Sequence, residues 1–90
     1  MHSNRNEELI AYPCDFPIKI MGVAHEDFLP AVAEVVRLHD PGFDVATMET
    51  RTSAKGTYLS VTATVKATSR EQLDNLYRAL TSHPKVKVVL

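Results

Sequence analysis

The chain alternates between two hydrophobic periods, and each change of period marks the border of an element. Phe16, Ile18 and Ile20 alternate with Pro17, Lys19 and Met21. That is the period of two of a half-buried strand, so a first strand is predicted over Phe16 to Val23. Pro17 lacks an N–H and belongs at the start of such a strand. Leu29, Val32, Ala33 and Val36 then recur at i, i+3, i+4 and i+7, the apolar stripe of a first helix. It begins at Glu26 or Phe28 and runs to Leu38. Asp27 is the expected N-cap, its carboxylate accepting a first-turn N–H, and Pro30 falls in the first turn, where its missing donor is harmless. His39-Asp40-Pro41-Gly42 stops the helix.

The period of two returns weakly over Val45 to Thr52, the expected second strand. Ser53-Ala54-Lys55-Gly56 reads as a hairpin turn, with Gly56 supplying the backbone freedom. Thr57 to Ala67 is the clearest strand: Leu59, Val61, Ala63 and Val65 face one side, and Tyr58, Ser60, Thr62, Thr64 and Lys66 the other. A second helix opens at Thr68-Ser69-Arg70-Glu71-Gln72, where both Thr68…Glu71 and Ser69…Gln72 fit a capping box. Leu73, Leu76, Tyr77 and Leu80 form its stripe, and Ser82-His83-Pro84 ends it. Val86 to Leu90 is a short last strand. The order β-α-β-β-α-β predicts an α+β, ferredoxin-like sandwich: a four-stranded antiparallel sheet with two helices on one face. Right-handed crossovers put the second and fourth strands at the edges. Residues 1–13 carry no period and read as a flexible N-terminal tail, which leaves 14–90 as a single domain.

Composition changes this picture little. Ninety residues hold one core. The 10 basic and 11 acidic residues nearly cancel, so no net field draws the chain to nucleic acid or to an anionic membrane. Cys14 is the single cysteine, which excludes an internal disulfide and favours a reducing, cytoplasmic setting. The first residues have no apolar signal-peptide core, and no apolar run approaches the roughly 18–20 residues that span a bilayer.

The chemistry sought is mostly missing. The four histidines are widely spaced, and the loop Met21-Gly22-Val23-Ala24-His25 lacks the paired cysteines with which ferredoxin-like carriers hold soft metals. No metal site, cofactor or catalytic residue is expected. Cys14 has no basic neighbour closer in sequence than Lys19 to activate it. The same loop lacks the arginine with which acylphosphatases of this topology hold phosphate. Lys55-Gly56-Thr57-Tyr58 begins like an RNA-recognition motif, but Ser60, Thr62 and Thr64 follow where stacking aromatics are needed, so nucleic acid is not the expected partner. A small-molecule effector is expected, if anywhere, at Gly22, Ala24 and His25, beside the N–H groups that open the first helix. The open sheet face is expected to carry Lys19, Met21, Tyr58, Ser60, Thr62, Thr64 and Val89. Tyr58, Val86, Val88 and Leu90 are the expected interface residues, with a homodimer through the last strand's edge or the face as one outcome.

Several stretches together resemble the YbeD-like family of small bacterial proteins of unknown function. They are Phe16-Pro17-Ile18-Lys19-Ile20-Met21-Gly22, Glu34-Val35-Val36-Arg37, Ser53-Ala54-Lys55-Gly56-Thr57-Tyr58-Leu59-Ser60-Val61 and the ending Val86-Lys87-Val88-Val89-Leu90. The first helix departs from the family pattern at Pro30 and Ala33. The resemblance implies a ferredoxin-like fold akin to the ACT domains, which bind amino acids or similar effectors and regulate metabolic enzymes. It brings no catalytic residues, and the Asp-Arg-Pro-Gly type pattern often seen in the ligand loop of ACT domains is missing. The expectation is a non-enzymatic regulatory or docking domain with a protein partner in metabolism. The alternatives are an RNA-binding module and a small enzyme using Cys14 or the Lys55 turn.

Overall fold

The computed structural model describes residues 11–90; most of the expected N-terminal tail therefore lies outside the described residues. Strand β1 (Cys14–Val23) leads to helix α1 (Phe28–His39), and a 3-10 turn (Val45–Thr47) precedes the short strand β2 (Glu49–Thr52). Strand β3 (Tyr58–Ala67), helix α2 (Arg70–Thr81) and strand β4 (Val86–Val89) complete the chain. The sheet order is β2-β3-β1-β4, with every neighbouring pair antiparallel. This is the ferredoxin-like α+β fold that the hydrophobic periods predict.

β1 and β3 pair along ten residues each, from Cys14 opposite Ala67 to Val23 opposite Tyr58. Ile18 and Ile20 of β1 and Val61, Ala63, Val65 and Ala67 of β3 turn one sheet face inward. They pack against Phe28, Val32 and Val36 of α1 and Leu73, Leu76 and Leu80 of α2. Each large side chain fully buried in such a cluster stabilises the fold by about 1.5–3 kcal/mol. Phe43, in the loop after α1, plugs the same core.

β1 begins two residues earlier than predicted, so Pro17 is its fourth residue and pairs with Thr64. The proline is tolerated because of where its nitrogen points. Lys19, two residues on, donates its N–H to the Leu90 carbonyl on the β4 side, at 3.1 Å. Pro17 shares that direction, but β4 reaches only as far as Lys19, so no ladder bond is lost.

Asp27 occupies the N-cap of α1, yet its side chain makes no capping bond. Ser69 does cap α2, its Oγ accepting the Gln72 N–H at 3.0 Å. Gln72 returns its Oε1 to the Thr68 N–H rather than to that of Ser69. Its Nε2 donates to the carbonyls of His39 (2.8 Å) and Lys66 (3.0 Å). Buried Asp40 accepts the Lys66 N–H at 2.9 Å. β2 covers β3 only from Leu59 to Thr62, so the backbone of Lys66 would otherwise have no partner on that side. Two side chains stand in for the missing strand.

Candidate functional site

The register of the sheet lays out its open face row by row. Val23 lies beside Tyr58; Val88, Met21, Ser60 and Arg51 form the next row; Leu90, Lys19, Thr62 and Glu49 the one after. Pro17–Thr64 and Asp15–Lys66 follow. The face is therefore divided. Its corner at β4 and the end of β1 is apolar, with Val23, Tyr58, Val88 and Leu90 between 43% and 68% exposed. Toward β2, Lys19, Glu49, Thr50, Arg51, Ser60 and Thr62 line a polar hollow of about 320 Å³.

This map corrects two expectations. Val86 and Val89 turn inward and pack against the core, while Val88 and Leu90 face out. The cause is a register shift between Met21 and Gly22: Met21 pairs with Val88 but Gly22 with Val86, so Lys87 is an extra residue. Such a bulge exchanges the inward and outward sets on its two sides. Of the expected interface residues, Tyr58, Val88 and Leu90 come together on the open face, and Val86 does not.

The loop between β1 and α1 differs from the expected effector site. Gly22 is buried, and a Cβ there would overlap the Phe28 ring and the Lys85 carbonyl. The glycine admits Phe28, and the space above it is filled. The Ala24 N–H is spent on the Thr57 carbonyl at 2.9 Å. In the first turn of α1, the N–H groups of Phe28 and Ala31 go to the His25 and Asp27 carbonyls, and Pro30 has none. At most Leu29 has a donor to offer a ligand. His25 Nδ1 lies 3.2 Å from the Asp27 N–H and 3.4 Å from the Asp27 carboxylate, so the imidazole is turned onto its own loop. Lys85 Nζ lies 3.9 Å from Asp27, an exposed pair that contributes little. Val23, His25, Phe28, Pro84, Lys85 and Lys87 leave a recess of about 270 Å³ there.

Cys14 is a free, half-buried thiol on the core side of β1, opposite Ala67. Among the described residues, no group of three or more His, Cys, Asp or Glu side chains is placed to hold a metal. Lys55 is exposed in the hairpin turn, where Gly56 takes φ +75° and Ser53 Oγ accepts the Tyr58 N–H. Tyr58 is the one aromatic side chain in the mapped rows of the open face. The polar hollow is not legible in the sequence because the weak alternation over Val45 to Thr52 does not say which residues face out, and Val45–Thr47 forms a 3-10 turn rather than strand. All four residues of β2 are exposed, and that Glu49 and Arg51 project from the face follows only once the register is known. No helix among the described residues is long and apolar enough to cross a membrane.

Comparison with known proteins agrees with the fold and the family. The family described as "Protein of unknown function (DUF493)" matches residues 7–90. A UPF0250 protein of Janthinobacterium sp. (strain Marseille) is 63% identical, the match covering 93% of this chain and 92% of the relative. The UPF0250 protein of Bordetella pertussis is 58% identical with both chains fully covered. Among solved structures, the solution structure of protein HP0495 from H. pylori superposes with a TM-score of 0.71 at 19% identity. That match covers 100% of this chain and 94% of the other, and at such low identity it speaks for the fold alone. With a family match over nearly its whole length and relatives above half identity, the chain belongs to the DUF493 (UPF0250, YbeD-like) family of proteins of unknown function.

Proposed function

We propose that the chain is a non-enzymatic interaction domain that docks a protein partner through the apolar corner of its open sheet face. The observation that carries this reading is the contiguity of Met21, Val23, Tyr58, Val88 and Leu90 on a face that no helix among the described residues covers. Scattered apolar residues are normal on a surface; a contiguous group rimmed by polar side chains marks a contact site. Both sheet edges are poor alternatives. β2 and β4 are four residues each and carry charges, Glu49 and Arg51 on one and Lys87 on the other, features that discourage strand addition.

The rim of the corner names the partner's chemistry. Lys19 and Arg51 stand beside it on the face and Lys87 at its end, where Lys85 faces Asp27, and Glu49 is the one acid in the adjoining rows. A second copy would bring like-charged rims together. A different protein with an apolar centre and an acidic rim fits better, and electrostatic complementarity of this kind sets specificity and encounter rate. A regulatory role toward a metabolic enzyme, in a reducing cytoplasm, is the setting in which this reading has its simplest form.

Photo-crosslinking from positions 58 and 88 in the native cell tests it, with position 38 on α1 as the reference. The expected result is one adduct partner from the open face and none from Leu38. The purified partner should then bind the wild-type chain, bind more weakly at high salt, and fail to bind Val88→Asp. Equal labelling from Leu38, or adducts only between two copies of this chain, would overturn the proposal.

A further inference from the structure

We infer that the polar hollow beside the apolar corner is a binding site for a small carboxylate that carries a neighbouring hydrogen-bond donor, a 2-hydroxy or amino acid. The inference goes beyond docking: the hollow adjoins the apolar corner and shares Lys19 and Arg51 with its rim.

Three features of the hollow support it. The first is composition: Lys19 and Arg51 bring two cations, Ser60 and Thr62 two hydroxyls and Glu49 one carboxylate, all lining a space of about 320 Å³. The second is placement. Lys19, Thr62 and Glu49 lie in one cross-strand row, so the lysine and the glutamate flank a threonine from opposite sides. Arg51 and Ser60 occupy the next row, on the same face. A central strand with a charged residue on each flank holds the two signs about two strand spacings apart, roughly 9–10 Å between backbones. Long side chains can close on a small molecule across that gap.

The third feature is that these groups are available. Among the described residues, neither Lys19, Arg51 nor Glu49 has an ion-pair partner, and the hydroxyls of the half-buried residues Ser60 and Thr62 make no hydrogen bond within the protein and are open to solvent. Several polar side chains elsewhere in the fold are engaged with the backbone instead. Asp40, Gln72, Ser69 and Ser53 each satisfy a backbone group. A guanidinium and an ammonium over two hydroxyls favour a carboxylate, through charge-assisted hydrogen bonds. Glu49 opposes a plain anion, and it favours a ligand that also presents an ammonium or hydroxyl donor. That combination selects the class.

The test is a titration of the full chain followed by amide chemical shifts, with lactate, glycine, acetate and inorganic phosphate as the probes. Lactate or glycine should give saturable shifts at Lys19, Thr50, Arg51 and Ser60 to Thr62, and should bind more tightly than acetate or phosphate. Arg51→Gln should weaken binding by about tenfold or more, as the loss of a charge-assisted pair does. Glu49→Gln should erase the preference over acetate. Arg37→Gln on α1 and Val88→Asp in the apolar corner should leave the shifts unchanged, so failure of docking and failure of this site are told apart. No saturable shift with any probe, equal binding of all four, or shifts centred on His25 would each overturn the inference.

Discussion

Two single residues show how finely the local chemistry is set. Gly22 lies in a strand interior, where glycine is ordinarily a weakness. Here Phe28 and the Lys85 carbonyl occupy the volume a Cβ would take. Gly22→Ala should therefore cost about 1–3 kcal/mol by overpacking, measured by urea unfolding. Shortening the opposing ring, Phe28→Leu, should recover part of that loss in the double variant if overlap is the cause. Tyr77 responds to pH instead. Burial raises its hydroxyl pKa above the ordinary 10.0. The folded state thus favours the neutral phenol, and its contribution is fully present below the unfolded-state value. It is lost as pH rises from there through the raised folded value. Tyr77→Phe should flatten the alkaline part of the stability profile and leave the neutral part unchanged. Neither role was open to sequence reasoning. Gly22 reads as a turn residue because the phenylalanine that fills its space opens the next element, Phe28 being the first residue of α1, and Tyr77 reads as one more member of an apolar stripe.

At the scale of elements, periodicity was legible and the bonding at the ends was not. The stripes of α1 and α2 and the alternation of β1 and β3 follow from side chains that share one core. The caps depend on backbone directions that periodicity does not encode. Asp27 and Ser69 looked equivalent as caps; only Ser69 bonds a backbone N–H. Ser69→Ala should cost about 1 kcal/mol, whereas Asp27→Ala should stay within about 0.5 kcal/mol, as surface changes do. Gln72→Ala should exceed both at about 1–2 kcal/mol, because it strips partners from the His39 and Lys66 carbonyls and the Thr68 N–H together. Equilibrium denaturation of the three variants checks that order. β4 illustrates the other limit. Its sequence alternates plausibly in either phase, and the bulge opposite Met21 and Gly22, not its own pattern, decides that Val88 and Leu90 face out.

The whole molecule combines a rigid centre with two short edges, and the candidate surface spans both. β1 and β3 hold each other along their full length, with Ile18 and Val61 among the residues that carry the core. β2 is exposed at all four positions and is held by β3 alone. The topology was legible because it needs only the order of elements and the handedness of crossovers. The face was only partly legible, since its apolar corner joins residues from the start and the end of the chain. Amide exchange should follow the same division. By the direction set at Lys19, the N–H groups of Ile18 and Ile20 point into β3, and those of Val61 and Ala63 point back, so all four are shielded within the central pair. They should exchange only through global unfolding and share one free energy. Glu49 and Arg51, whose N–H groups point into β3, can be exposed by detaching β2, which buries no side chain of its own, and they should exchange through a cheaper local opening. Measured across a urea series, the central amides should show the full denaturant dependence and the β2 amides almost none. Equal dependence in both sets would mean that β2 opens only with the core, and the polar hollow would then be as rigid as the centre of the sheet.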